Sequence, residues 1–386
     1  MPALLNGVSH YSLRRGVMSP EQICRAAKEL GYSAVALTDR DNLHGLPEFL
    51  YQTEQYGLRA IIGSELSTRE GTVVLYAHGS AGFANLCRVL SEKHCEKHFD
   101  AAASICSDPE GLHGVTDHVA LIETLQGVMP CYYRMRRPRR PPMRVRERGV
   151  PCLVVPMFAF LGPQDYEMHR LVCAIDRNTT LSRLAAEELF PEGAVPVAWE
   201  RVRERFEVFE EALATTEEFC RTIRSRSAFG AVVAPPAYTQ YHARELLRRK
   251  AYEGARHRYG LLSQQVTERL DYELDMIGRK GFASYFLIVD DIVRQSPRTC
   301  GRGSAAASIV AYSLGITNVD PIRYNLMFER FLNPGRTDPP DIDVDFAWDE
   351  RDSVLDYVFE RYGNRHTAMV ATHMTFGARM ALREVA

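Results

Sequence analysis

The residues best placed to do chemistry lie between Cys300 and Phe346, a stretch that opens CGRGSAAAS and closes PPDIDVDF. Asp341, Asp343 and Asp345 stand at every other position, with Ile342, Val344 and Phe346 between them. Side chains alternate across a strand, so this spacing predicts three carboxylates on one face and apolar residues on the other. Like charges held together are costly without cations. Such a cluster suits phosphoryl transfer to a hydroxyl, in which two Mg²⁺ ions roughly 4 Å apart bridge the attacking and leaving oxygens. Upstream, Gly301 and Gly303 would let backbone N–H groups approach an anion, and Ser304 adds a hydroxyl where Ala305 to Leu314 begins a helical, small-residue run. The positive end of that helix is expected to face the phosphates. Arg330 and Arg336, between the two halves, are candidate contacts to a triphosphate or a DNA backbone.

Taken singly, neither half is specific. A Gly-x-Gly-Ser is common in loops, and alternating aspartates also occur on the solvated face of an edge strand. Together they give the layout of a nucleotidyltransferase palm. The run YELDMIGRKGFASYFLIVDDIV, then GRGSAAAS, SLGITNVDPIRYNLMFERFLNP and PPDIDVDF, resembles the palm of the bacterial family C DNA polymerases, the DNA polymerase III alpha-subunit family. The likeness runs nearly unbroken from about Tyr272 to the end of the chain.

The resemblance implies that Asp341 and Asp343 are catalytic, two of the three aspartates that hold Mg²⁺, and that the third lies beyond this chain. It makes Gly303 and Ser304 the phosphate-contacting loop, with Gly301, Arg302 and Arg330 as further nucleotide-binding candidates and Asp345 in a structural role. The implied substrates are primer-template DNA and deoxynucleoside triphosphates, and a sliding clamp would be met through segments absent here. CGRGSAA, the double proline of PPDIDVDF and the tail TAMVATHMTFGARMALREV look more like the error-prone, damage-tolerant branch; a replicative chain is the alternative.

The elements that must position these residues follow from the whole chain. Its 386 residues are enough for two domains and a sizeable core. No apolar run reaches the roughly 20 residues of a membrane span, and the N-terminus MPALLNGVSH lacks the form of a secretory signal. Nine scattered cysteines suit reduced thiols, so a cytoplasmic protein is expected, bacterial by the resemblance. The net charge of −2 excludes binding nucleic acid by overall basicity, so any DNA contact must be local. The clearest basic run, RMRRPRRPPMRVRER from Arg134 to Arg148, is broken by Pro138, Pro141 and Pro142 and reads as a solvated loop, ahead of a DNA contact.

In the N-terminal half, Ser19-Pro20 starts a helix that Gly31 stops, Ala34 to Leu37 is a buried strand, Leu46 to Tyr56 is helical, and a strand runs from Ala60 to Glu65. This rhythm predicts an α/β barrel or sheet, with Asp39 and Glu65 at the C-terminal ends of strands where active sites form. His94 and His98 sit at helical i,i+4 spacing near Cys87 and Cys95 and could share a zinc, though no Cys-x-x-Cys accompanies them. NGVSHYSLRRG, ALTDRDNLHG, IIGSELS and FANLCRVLSEKH resemble successive motifs of the PHP (polymerase and histidinol phosphatase) domain with which these polymerases begin. Only Asp39, Glu65 and His94 match its metal ligands; Asn6, Val8, Arg40, Met157 and Ala159 replace others. A structural domain without its own metal or phosphoesterase activity is expected.

The fold expected is α/β: a PHP-type α/β barrel with trailing helices over 1–205, then over 206–386 the N-terminal part of a polymerase-beta-like nucleotidyltransferase palm, ending before the thumb, third aspartate and fingers. AFGAVVAPPAYTQ reads as a linker and Ala243 to Tyr259 as a basic helix. The function expected is the N-terminal portion of a DNA-directed DNA polymerase, inactive as this chain alone. A non-catalytic polymerase relative that binds DNA or partners is the alternative, ahead of a PHP phosphoesterase.

Overall fold

The computed structural model describes residues 2–186, 189–226, 240–336, 340–363, 366–370, 372–373 and 375–385. The linker segment read between 228 and 240 lies almost wholly outside them. The chain divides into two compact units, Met1–Phe229 with Thr375–Ala386, and Gly230–Met374.

The first unit is built on a seven-stranded sheet whose spatial order follows the chain. Strand β1 (Ala3–Gly7) leads to helix α1 (Pro20–Glu29), β2 (Ala34–Leu37), α2 (Leu46–Gln55) and β3 (Arg59–Ser67). After β4 (Thr72–Ala77) come α3 (Gly79–Cys95), α4 (Ala101–Ser107), β5 (Leu112–Thr116), α5 (Val119–Leu125), β6 (Cys131–Met135), α6 (Met143–Glu147) and β7 (Cys152–Val154). Helices α7 (Pro163–Asp176), α8 (Trp199–Arg205) and α9 (Glu210–Thr222) follow. The start of α1 shows how local chemistry sets these bounds. Ser19 Oγ accepts from the Gln22 amide at 3.1 Å, Gln22 Oε1 accepts from the Ser19 amide at 2.7 Å, and Pro20 supplies the first helical turn.

Strand β4 runs antiparallel to both neighbours, β3 and β5; all the other pairings are parallel. Six strands therefore end at the same pole. Past β7 the chain returns to the end of β1, where Phe158 and Gly7 form a parallel bridge, so the sheet curls as a barrel wall does. Alternation sorts its residues. Val35, Leu37, Val73 and Leu75 pack under the helices, whereas Ala34, Ala36, Val74 and Tyr76 point to the opposite face. That second face is covered by Phe219, Cys220 and Ile223, from α9 and the residue after it. Thr216 Oγ1 in α9 also accepts from the Val154 amide at 2.8 Å. The boundary expected at 205/206 thus falls inside the first unit, because burying the small-residue face of the sheet requires α9.

The second unit begins with three helices, α10 (Gln240–Tyr259), α11 (Gln264–Arg279) and α12 (Ala283–Val293). Every fourth residue of α10 from Ala243 is buried: Ala243, Leu247, Ala251 and Ala255. The basic residues of this helix are partly internal struts, since Lys250 Nζ lies 2.5 Å from the buried Asp290 carboxylate and Arg258 Nε donates to Tyr312 O at 3.2 Å. Strand β8 (Thr299–Arg302), a 3₁₀ turn over Gly303–Ala307, and α13 (Ile309–Ser313) follow. After a second 3₁₀ turn over Phe328–Arg330 come β9 (Asp343–Phe346) and α14 (Arg351–Tyr362). Helix α15 (Ala378–Val385) ends the chain's described part and belongs with the first unit.

Candidate active site

In the second unit β8 and β9 pair antiparallel, with Cys300 opposite Asp345, Gly301 opposite Val344 and Arg302 opposite Asp343. The two sequence halves that suggested chemistry are therefore adjacent strands. Asp341, Asp343 and Asp345 are exposed, while Ile342 and Val344 pack on the unit's core and Phe346 is half-buried. Asp345 Oδ1 lies 3.2 Å from Arg302 Nε. Among the described residues, neither Asp341 nor Asp343 joins an ion pair, so two carboxylates stand on one exposed face without a fixed counter-charge.

The glycines divide the work differently from the sequence expectation. The Gly301 amide donates to Ile316 O at 2.7 Å, Thr317 Oγ1 donates to Gly301 O at 3.1 Å, and a Cβ on Gly301 would stand 2.4 Å from Ile316 O. Its hydrogen is already used, so Gly301 is a packing glycine rather than an anion donor. Gly303 has the other property: φ of +68° and a Cβ position 3.2 Å from Asp343 Oδ2. Only a residue without a side chain lets the turn approach the carboxylate this closely. Ser304 is exposed beside it.

The expected helix from Ala305 to Leu314 is two pieces instead. Its first turn is 3₁₀, and α13 is a five-residue helix capped by Ser308, whose Oγ accepts from the Ala311 amide at 3.1 Å. So short a helix carries little dipole. What holds the turn is Glu273, fully buried in α11. It accepts from Arg269 Nε at 2.7 Å and from Ser308 Oγ at 2.7 Å, and burial raises its pKa against those bonds. Arg269 also donates to Ala307 O at 3.1 Å and Leu326 O at 2.9 Å, tying the turn to the segment that leads into Arg330. Arg330 is exposed at the end of the second 3₁₀ turn. Lys280 Nζ donates to the carbonyls of Pro334 and, at 2.8 Å, Arg336.

Sequence reasoning missed Tyr285. Burial pushes its phenol up, a backbone hydrogen bond from Ile342 opposes this, and the Asp341 and Asp343 carboxylates raise it further. It therefore lies against the aspartate strand. It directly precedes the apolar run Phe286 to Val289 on α12, which alone reads as core.

In the first unit, Asp39, Glu65 and His94 are each engaged separately. Asp39 is buried and accepts from the Ser9 amide at 2.7 Å, Ser9 Oγ at 2.6 Å and Ser12 Oγ at 2.7 Å; burial lifts its pKa to about 6. Glu65 Oε2 meets Arg134 Nη1 at 3.3 Å. His94 Nε2 bonds the carbonyl of Asp41 at 2.6 Å. Helix α3 ends at Cys95, so His98 does not share a helical face with His94 and the i,i+4 zinc reading fails. Among the described residues, no three His, Cys, Asp or Glu side chains are grouped to hold a metal. Arg134 also corrects the solvated-loop reading of the basic run: it is 1% exposed, at the end of β6, and its Nη2 donates to Asp117 Oδ1 at 2.9 Å.

Residues 245–386 match the family model described as the bacterial DNA polymerase III alpha NTPase domain, and residues 8–137 match the PHP domain. The chain thus joins a PHP domain to a bacterial DNA polymerase III alpha NTPase domain. Relatives of this polymerase family include the error-prone DNA polymerase of Mesorhizobium japonicum, 30% identical over 98% of this chain and 37% of that protein. The DNA polymerase III alpha subunit of Bacillus subtilis is 31% identical with the same two coverages, and that of Aquifex aeolicus is 29% identical over 98% of this chain and 39% of its own length. The chain thus spans somewhat over a third of these family members.

Proposed function

We propose that this chain is the N-terminal portion of a template-directed DNA polymerase and that Asp341 and Asp343 are the carboxylates around which nucleotidyl transfer is organised. The carrying observation is that both are exposed and free of ion pairs among the described residues, with Asp343 close against the Gly303 turn. The donor set fits hard divalent cations such as Mg²⁺, which prefer carboxylate oxygens. When bound, such ions would neutralise the triphosphate and favour attack of the primer 3′ oxygen on the α-phosphorus. The chain's own residues then have defined roles. Asp341 and Asp343 would hold the ions, Gly303 and the Ser304 hydroxyl would take triphosphate oxygens, and Arg330 would offer a further positive contact. Arg302, paired with Asp345 across the two strands, can exchange that exposed partner for a phosphate.

The test uses the full-length protein encoded by the native gene on a primed template. Asp341→Asn and Asp343→Asn are each expected to lower primer extension by at least about a hundredfold, equivalent to several kcal/mol of lost charge stabilisation, with melting unchanged. Extension within about threefold of the parent in either variant refutes the assignment. The wording CGRGSAA and the double proline before Asp341 support the error-prone branch. Extension past an abasic site is then expected; failure on every lesion tried would favour the replicative branch.

A further inference from the structure

The pole at which six strands of the first unit end holds a second, chemically opposite site. A cleft of about 830 Å³ opens there, and its lining includes Arg134, Arg136, Arg137, Arg139 and Arg205 against a single carboxylate, Asp117. Five guanidinium groups crowd one anion. Asp117 is already shared, by Arg134 Nη2 at 2.9 Å and Arg136 Nε at 3.2 Å. Glu65, behind Arg134, balances one more charge and still leaves an excess of three among these groups.

Two buried donors in the cleft are unused. The Nε atoms of Arg134 and Arg136 have no hydrogen-bond partner among the described residues; that of Arg136 is close to Asp117 but off the bonding direction. Buried N–H groups without acceptors are costly, and like charges at short range add to the cost. Burial and the neighbouring Arg134 charge accordingly hold Arg136 below the usual guanidinium range. An anion entering the cleft would relieve the like-charge cost. Planar guanidinium forks match phosphate oxygens better than point charges do, and the volume is that of a nucleotide-sized site.

We propose that this cleft is a cation-independent phosphate site, in which the arginines after β6 bind a phosphate-bearing anion. The site is independent of what Asp341 and Asp343 do. Two sources share the chemistry, a free polyphosphate and the backbone of a single strand.

The experiment titrates the full chain with inorganic pyrophosphate by calorimetry, in chelator and at low salt. Saturable binding is expected without divalent cation. The double variant Arg137→Gln/Arg139→Gln, at exposed positions, should weaken it at least about tenfold, because two charge-assisted bonds are lost, with the melting temperature retained. Asp341→Asn/Asp343→Asn should leave it unchanged. Binding that requires divalent cation, survives the arginine substitutions, or disappears with the aspartate substitutions overturns the proposal, as does the lack of saturable binding. A labelled oligothymidylate distinguishes the sources. Displacement by pyrophosphate, lost in the arginine variant, identifies a strand backbone; an oligonucleotide indifferent to both, with pyrophosphate bound, identifies a free anion.

Discussion

Replacing Arg134 by methionine removes a cation from the interior while leaving its partners in place. The Arg134 side chain is 0% exposed, against 12% for Glu65 and 29% for Asp117. It donates to Glu65 at 3.3 Å, Asp117 at 2.9 Å and Thr72 Oγ1 at 3.1 Å. Asp117 keeps Arg136 and some solvent, so most of the loss falls on Glu65, which is left as a buried, uncompensated carboxylate. Breaking such a pair from one side costs about 3–5 kcal/mol, whereas replacing both members by apolar groups is often close to neutral. Arg134→Met is therefore expected to cost about 3–5 kcal/mol, and Arg134→Met/Glu65→Leu to recover all but about 1–2 kcal/mol of it. Urea unfolding followed by tryptophan fluorescence reads the right unit, because Trp199 is 7% exposed in the first unit whereas Trp348 is 89% exposed in the second. A single variant costing under about 1 kcal/mol, or a double variant costing the sum of both singles, refutes the view that Arg134 is the counter-ion of the barrel pole.

Three other outcomes follow from particular atoms. Gly301→Ala drives a Cβ to 2.4 Å from Ile316 O, and the β8–β9 pair must shift. A loss of about 1–3 kcal/mol is expected, with faster hydrogen exchange at Val344, and unchanged exchange there would contradict it. Glu273→Ala removes the buried acceptor that holds Ser308 and Arg269; it should destabilise the second unit by about 3–5 kcal/mol in urea, more than any substitution at exposed Asp345. Acidification should act with opposite signs on half-buried His113 and buried Asp39. His113 is lowered to about 4 by burial and by nearby His78, so its stabilising share is present above pH 6.5 and lost as pH falls toward 4, by about 1–2 kcal/mol after solvent screening. Asp39, raised from 3.8 to about 6, gives stability that is complete below pH 3.8 and lost as pH rises through 6, by about 3 kcal/mol. Between pH 6.5 and 4.5, acidification should cost the parent protein stability relative to His113→Gln and gain it relative to Asp39→Asn. Differences of the same sign in unfolding midpoints would refute the pairing.

Much of the fold was legible because short-range chemistry fixed it. Ser19-Pro20 set the start of α1, the strand from Ala34 to Leu37 has the bounds its composition suggested, and the alternation of aspartate with Ile342 and Val344 became an exposed and a packed face. The pairing of that strand with the Gly-rich turn was not legible, since register depends on contacts such as Gly301 with Ile316 that leave no local mark. Tyr285 was hidden for the same reason, inside an apolar run. Arg134 misled in the other direction. Its neighbours Arg137, Arg139 and Arg140 are exposed, as a charge run should be, but it precedes them on β6 and faces Glu65. A composition window averages across the strand end and cannot see that difference. The break between 3₁₀ turn and α13 was likewise invisible, because the buried Glu273 that claims Ser308 lies 35 residues away.

The buried guanidinium at the barrel pole has a consequence for where such a protein can work. A dissociable ion makes a fold answer to the supply of that ion in its surroundings. Arg134, by contrast, arrives with every copy of the chain, in a fixed ratio to Glu65, and cannot be chelated or exchanged. The charge balance of this buried pair is written at translation.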